Sequence, residues 1–211
     1  MNMRIIFKEL EGKKTPEYDR HLFYRLYMKF RNCLAKKEYP IFKNILIEIS
    51  RSNINGIGVF ATQRIEAKSV VADGINEEDY CDLVSWESTK DISPPIKKKI
   101  SDFCIGTPSK FIPPEENNFN KLSIEWYINY FCNGNIGFNE DGNFVAIRNI
   151  EQDEELTYDY GLAESNPKFT MQCDCKSNNC RHVITGNDWK DHEFRKKNKN
   201  YTLPKLRQEE F

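Results

Sequence analysis

The sequence predicts a mainly β domain with α-helical additions, and three observations carry that expectation. Short runs rich in β-branched and aromatic residues recur between turn-forming residues: Ile45-Leu46-Ile47-Glu48-Ile49, Gly56-Ile57-Gly58-Val59-Phe60-Ala61, Phe144-Val145-Ala146-Ile147 and Glu155-Leu156-Thr157-Tyr158. A sustained helical period occurs only near the N-terminus. Beyond Tyr160 the chain is loop-rich and carries a cysteine cluster, with too few apolar residues to order itself by burial alone. At 211 residues, 39% hydrophobic and 13% aromatic, the chain can hold one good-sized core with small appendages but hardly two full domains.

Taken in order, Thr15-Pro16 is followed by apolar residues at 18, 22, 23, 26, 30, 33 and 34. This is the pattern of one amphipathic helix to about Lys37 with proline in its first turn. Its other face carries Arg20, Arg25, Lys29, Arg31, Lys36 and Lys37, read either as a solvated face or as a grip on nucleic acid or an acidic surface. Pro40 ends it, a strand follows at 45–49, and Gly56–Gly58 reads as a tight turn into a second strand. From Val70 to Asn120 the pattern is broken by Pro94-Pro95, Thr107-Pro108, Pro113-Pro114 and Asn117-Asn118, with a short helix expected over 95–104. Strands at 144–147 and 155–158 flank the turn Gln152-Asp153, and the tail from Trp189 to Phe211 reads as charged and at most partly helical.

The formal net charge is −1, which excludes a uniformly basic nucleic-acid binder, and direct nucleic-acid binding is not expected. Charge is nevertheless uneven. Residues 1–45 carry eleven Lys/Arg against five Asp/Glu, whereas residues 121–165 carry two against nine, a net of −7. That stretch is either an ordinary solvated surface or an attractor for a lysine-rich peptide. A Rossmann or P-loop reading fails, because there is neither a Gly-x-Gly-x-x-Gly opening a helix nor a Walker sequence. Residues 1–8 lack the apolar core of a signal peptide, and no run approaches the ~18 apolar residues of a membrane span. The expectation is an intracellular protein with no membrane partner, nucleus or cytoplasm undecided. Its seven cysteines would then be reduced and suited to metal rather than disulfides.

Cys173-x-Cys175-x4-Cys180 places three thiolates within eight residues. Zinc takes four ligands in a tetrahedron at roughly 2.3 Å, so a fourth must come from elsewhere. Cys132 is the candidate and His182 its competitor. Tyr158 and Tyr160 alternate with Asp159, so on a strand they would share a face, as core tyrosines or as part of a site.

Three segments, in this order, carry a resemblance: Asn129-Tyr130-Phe131-Cys132-Asn133-Gly134-Asn135; Asp153-Glu154-Glu155-Leu156-Thr157-Tyr158-Asp159-Tyr160-Gly161; and Cys173-Asp174-Cys175 with Cys180. Together they resemble the core and post-SET tail of SET-domain protein lysine methyltransferases, over roughly residues 45–185. The resemblance implies a SET-type β-clip fold, with a knot-like crossing of 129–135 and the strand through Tyr160. It implies a helical extension over 1–44, a SET domain over 45–162 with a variable insert at 75–120, a zinc-bound post-SET segment over 163–185 and a tail over 186–211. It further implies methyl transfer from S-adenosylmethionine to a lysine of a protein, a histone being the family's commonest target. Gly56, Ile57, Gly58, Asn129, Tyr130 and Tyr160 would hold the cofactor. Tyr160 would be the catalytic tyrosine, and Tyr158 would limit the product mainly to monomethyl-lysine. Structural zinc would sit on Cys132, Cys173, Cys175 and Cys180. The chain departs from the family's Asn-His-Ser-Cys at Tyr130-Phe131, and Gly134 replaces the usual proline. Two rival expectations follow: a SET-fold module without catalysis that binds a basic peptide, and a zinc-stabilised scaffold without cofactor.

Overall fold

A computed structural model of the chain describes residues 45–75, 79–80 and 82–209. The helix expected over 16–37, and with it the helical extension 1–44, lies outside the described residues.

Strands β1 (Ile47–Arg51) and β2 (Ile57–Ala61) form an antiparallel hairpin in which Ile47 faces Ala61 and Arg51 faces Ile57. β1 starts two residues later than the sequence suggests. The Ile45 carbonyl is instead taken by the side chains of Thr62 and Gln63. The connecting loop is closed by Ser52 N–H donating to the Gly56 carbonyl at 3.2 Å. Gly56 has φ +49°, the left-handed region that glycine enters without a Cβ penalty. β3 (Val70–Ala72) and β4 (Val84–Ser85) follow, then α1 (Pro94–Phe103), within one residue of the expected helix and with proline in its first turn. β5 (Lys110–Phe111) pairs with β4. This insert has its own apolar cluster, in which Ile100, Cys104 and Phe111 are buried and the Trp86 and Phe111 rings lie 4.6 Å apart.

β6 (Asn129–Tyr130), β7 (Ile136–Phe138), β8 (Phe144–Ala146) and β9 (Glu155–Tyr158) complete the main sheets. One sheet runs β1-β2-β9-β6 and the other β3-β8-β7. β8 and β9 flank the expected turn, with Asp153 at φ +64°, yet they belong to different sheets. The core lies among Val59, Ile65, Ile136, Phe138, Phe144, Ile150, Leu156, Tyr158 and Leu162. Alternation of buried and outward residues is weak because β7, β8 and most of β9 are buried on both faces. β10 (Thr170–Gln172) and β11 (Val183–Thr185) make a small hairpin.

The tail departs most from its expected character. Trp189, Leu203 and Leu206 are buried, α2 (His192–Asn198) and α3 (Pro204–Arg207) are helical, and Leu203 N–H donates to the Leu162 carbonyl at 2.8 Å. Phe138 N–H donates to the Tyr201 carbonyl at 2.9 Å, and Arg207 Nη2 donates to the Phe138 carbonyl at 2.8 Å. The tail is therefore part of the core wall. Its few apolar residues are spread too widely among charges to show a period. Among the described residues no helix is long and apolar enough to cross a membrane.

Leu203→Ala is expected to destabilise the protein by about 2–5 kcal/mol, the range for emptying a buried leucine site. Lys199→Ala, at an exposed position of the same tail, should change little. Denaturant unfolding that gave similar midpoints for both variants would show that the tail does not belong to the cooperative core.

Candidate active site and cysteine cluster

The site is built on a parallel pairing between segments far apart in sequence. β6 lies beside β9, Asn129 opposite Thr157 and Tyr130 opposite Tyr158. Residues 131–135 continue along β9: Phe131 N–H donates to the Tyr158 carbonyl at 3.2 Å and Asn135 N–H to the Thr157 carbonyl at 2.9 Å. These are the segments for which a knot-like crossing is expected. A Cβ on Gly134 would lie 2.6 Å from Thr157 O and Tyr158 Cα. That close approach leaves no room for a side chain at 134 in this structure. The Asn135 side chain, 2% exposed, uses both ends: Nδ2 donates to Glu155 O (2.9 Å) and Glu154 Oε1 (3.0 Å), and Oδ1 accepts from Thr157 N–H (2.9 Å).

The pairing carries Asn129 to the Gly56–Gly58 turn. Asn129 Nδ2 donates to the Ile57 carbonyl at 2.9 Å and to Glu155 Oε1 at 2.8 Å, and the Ser52 hydroxyl holds the same carboxylate at 2.8 Å. A Cβ on Gly58 would sit 2.2 Å from Glu155 Oε1. Glycine at 58 thus admits this carboxylate, rather than leaving open space for a ligand. Tyr130 is 6% exposed, with its ring packed against Tyr160 at 5.2 Å between centroids.

Tyr158 and Tyr160 do meet, their ring centroids 4.8 Å apart, but not by strand alternation. β9 ends at Tyr158, and Tyr160 opens a 3₁₀ turn capped by Asp159, whose Oδ1 accepts from Gly161 N–H at 3.0 Å. The Tyr160 hydroxyl donates to the Ile128 carbonyl at 3.3 Å. Burial pushes the Tyr160 hydroxyl up to about 12. Burial, then the neighbouring Tyr160, Glu164 and Asp159, pushes Tyr158 well above its ordinary value. Both stay protonated at neutral pH, so they can donate or accept hydrogen bonds but cannot serve as ionised bases.

Both rings line a cavity of about 670 Å³. Among the described residues its lining carries eight carboxyl side chains (Asp73, Asp79, Asp82, Asp102, Glu115, Glu116, Glu125 and Glu164) and no lysine or arginine. Burial sorts the wall: Asp73, Asp82, Asp102, Glu115 and Glu116 are exposed, whereas Ile112, Ile128, Phe144 and Tyr158 are buried. The acidic stretch 121–165 contributes only Glu125 and Glu164 to this wall. Elsewhere in that stretch Glu154 pairs with Arg148, Asp159 with Arg181 and Glu140 with Arg207. The cavity's charge therefore comes mostly from 73–116, where Asp73, Asp79 and Asp82 belong to a run of five Asp/Glu with no Lys/Arg over residues 73–82. Glu164 differs from the rest. It accepts from Gly106 N–H (2.8 Å) and Asn166 N–H (2.7 Å), and burial pushes its carboxyl up to about 7.

On the other side of Tyr130 lie the cysteines. The sulfurs of Cys132, Cys173, Cys175 and Cys180 are all within 4.8 Å of one another, with 3.9 Å for Cys132–Cys173 and 3.8 Å for Cys173–Cys180. Four sulfurs on a tetrahedron with bonds of about 2.3 Å stand about 3.8 Å apart, so the set fits a zinc-sized cation. His182 Nδ1 approaches Cys180 at 3.9 Å but is not one of the four. Burial pushes the Cys132 and Cys173 thiols up, an effect that a coordinated dication would reverse.

The structure thus divides the expected residues into three neighbouring groups: Gly56, Ile57, Gly58 and Asn129 at the turn; Tyr158 and Tyr160 on the cavity; and the four cysteines, with Tyr130 between the last two. The sequence pattern assigns no role to Asn135, Glu155, Glu164 or Arg181. Only Arg181, a cation one residue past a cysteine of the cluster, leaves a local signal.

Metal analysis is expected to find one zinc per chain, and Cys132→Ser should lose it, because removing one thiolate breaks the set of four. Full zinc retention by that variant would move the fourth ligand to His182. For Glu164, a folded pKa raised from 4.5 to about 7 means that the folded chain holds an extra proton between those values. Its contribution to stability is complete below that window and is lost as pH rises through it. The stability of the unmodified protein relative to Glu164→Gln should accordingly fall between pH 4.5 and 7. Parallel melting-temperature profiles for the two proteins would exclude this titration.

Comparison with known proteins agrees with the geometry. The family described as SET domain matches residues 56–161, half of the chain, including the glycine turn, β6 to β9 and Tyr160. No curated protein matches the chain in sequence. Among solved structures it is similar to KRYPTONITE, crystallised in complex with mCHG DNA and SAH, at 23% identity and a TM-score of 0.44 over 66% of this chain and 29% of that one. It is also similar to the methyltransferase domain of the human histone-lysine N-methyltransferase SETMAR, at 16% identity and a TM-score of 0.46 over 65% of this chain and 57% of that one. The chain spans less than two thirds of either protein. On the family match, this chain is a member of the SET-domain family.

Proposed function

We propose that this protein transfers a methyl group from S-adenosylmethionine to a lysine side chain of a protein, with a histone tail as the first substrate to test. The observation that carries the reading is a pair of protonated tyrosines, buried Tyr158 and half-buried Tyr160, at the apolar end of a cavity whose exposed rim is acidic, within a SET domain. S-adenosylmethionine would supply an electrophilic methyl group on a sulfonium. The acceptor must be a neutral amine, yet at a pKa of ~10.4 only about one free lysine in 2,500 is neutral at pH 7. Exposed carboxylates at the rim would draw the cationic side chain in, and the buried wall of Ile112, Ile128, Phe144 and Tyr158 would disfavour its ammonium by desolvation. The Tyr160 hydroxyl and the Ile128 carbonyl, already 3.3 Å apart, would orient the amine near attack distance. The Tyr158 hydroxyl would occupy room that a second methyl needs, favouring monomethyl-lysine. Ile57, Gly58, Asn129 and Tyr130 would hold the cofactor largely through main-chain groups, and Asn129 would do so by holding the turn. Zinc on the four cysteines would be structural.

Radiolabelled methyl transfer to a histone mixture tests this. Tyr160→Phe should lower the rate with little change in cofactor affinity, and Tyr158→Phe should shift product toward di- and trimethyl-lysine. Transfer should weaken as salt rises, because the Debye length shrinks from about 10 Å at 0.1 M to about 3 Å at 1 M. Salt-sensitive binding of a basic peptide with no transfer would replace this reading by that of a peptide-binding SET module.

A further inference from the structure

Arg181 occupies an unusual place between the cysteine cluster and the tyrosines. Its Nη2 donates to Asp159 Oδ1 at 2.6 Å and to the Tyr130 hydroxyl at 3.2 Å, and its Nε lies 3.1 Å from Asp188 Oδ2. Its backbone N–H donates to Cys132 Sγ at 3.4 Å, and its guanidinium carbon lies 5.0 Å from the Phe194 ring centroid. The ion pairs are shielded: the side chains of Asp159 and Asp188 are 9% and 14% exposed and that of Arg181 27%. A guanidinium with several acceptors in a fixed fork suits this geometry, and a flexible ammonium does not.

The Tyr130 hydroxyl gives the network a direction. It lies 2.7 Å from Cys132 Sγ and accepts from Arg181 Nη2; with the sulfur held as a metal-bound thiolate, the hydroxyl would be the donor to it. Asp159, on the opposite arm, separates Tyr158 from Tyr160 and caps the turn on which Tyr160 sits. The Tyr130 ring also packs on Tyr160. One cation therefore reaches both the cluster and the turn.

We infer that Arg181 is a positioning residue: through Tyr130 and Asp159 it ties the cysteine cluster to the turn that places the Tyr160 ring, so that metal occupancy sets where Tyr160 stands. The inference rests on the methyl-transfer reading only for its catalytic consequence. The structural coupling stands without it.

The test uses the full chain with 3-fluorotyrosine incorporated at position 160 and fluorine NMR as the readout. In the otherwise unmodified protein, chelation of zinc is expected to move the position-160 resonance. Arg181→Lys is expected to keep the same zinc content and to lose most of that response. Tyr130→Phe, which removes a single hydroxyl, is expected to weaken the response in the same sense and decides the matter if Arg181→Lys does not fold. A response equal to the unmodified protein's in the folded variants would overturn the inference. So would loss of zinc from Arg181→Lys, which would confine Arg181 to the cluster. In the methyl-transfer assay Arg181→Lys should lower kcat roughly tenfold or more with S-adenosylmethionine affinity unchanged, the mark of a misplaced rather than missing group. If the unmodified protein transfers no methyl group, the methyl-transfer reading falls and the fluorine measurement still decides the role of Arg181.

Discussion

The parallel pairing of Asn129–Tyr130 with Thr157–Tyr158 is the constraint on which the rest of this structure depends. It joins segments with few local reasons to meet, and side chains fix its register as firmly as the ladder does. Asn135 is buried with three hydrogen bonds to residues 154–157, and a slip by one residue would strand its amide. An unsatisfied buried polar group costs about 1–3 kcal/mol, enough to select one register. The same slip would reverse which face each side chain occupies. From the register follow the reach of Asn129 to the Ile57 carbonyl, the approach of Cys132 to the other three sulfurs and the contact of the Tyr160 hydroxyl with Ile128.

In the proposed reading, the cavity must reconcile two opposed electrostatic demands. Carboxylates that attract a lysine also stabilise its ammonium, whereas transfer needs the amine. Neutralising a free lysine at pH 7 costs about 4.6 kcal/mol, at 1.36 kcal/mol per pH unit. A unit charge 4 Å away in water acts with only about 1 kcal/mol, and less at greater distance or higher salt. Desolvation, by contrast, shifts buried amines by up to about 3–5 pKa units. Separation of the exposed acids from the buried aromatic end therefore lets attraction act during approach and desolvation dominate at the reacting end. Glu164 is the one carboxyl of the lining that sits in the buried region. Burial pushes its carboxyl up to about 7, so that it is about half protonated near neutral pH and opposes desolvation less than an ordinary carboxylate would.

What was legible in the sequence divides along the same physical lines. β2, β8, β9 and α1 announce themselves through local composition and turn residues, and their observed bounds lie within a residue or two of the expected ones. The cysteine cluster was legible because thiolates at short spacing have few other uses in a reduced chain. β3, β4, β5 and β10 have only two or three residues each, too few to show a period, and exist because a partner strand meets them. The docked tail was hidden because Trp189, Leu203 and Leu206 are spread among charges. The acidic cavity was hidden for a different reason. Its carboxylates at 73–82 belong to one short acidic run, but only folding joins them to Asp102, Glu115, Glu116, Glu125 and Glu164, whereas Glu154, Asp159 and Glu140 of the stretch 121–165 pair instead with Arg148, Arg181 and Arg207.

Tyr130 bears on whether the departure from the family's Asn-His-Ser-Cys pattern is a loss. An imidazole or a serine hydroxyl at 130–131 would offer polar atoms to the surroundings. Here the tyrosine ring is buried against Tyr160, and its hydroxyl lies between Arg181 and Cys132. Such a hydroxyl is partnered on both sides, with the sulfur and with the guanidinium, so its burial carries no unpaired polar group. The backbone of residue 130 keeps its place in the ladder opposite Tyr158, and a main-chain role in holding a cofactor does not depend on the side chain. The substitution therefore preserves the backbone on which the site is built, and it exchanges a polar contact for a packing and hydrogen-bond link between the cysteine cluster and the tyrosines.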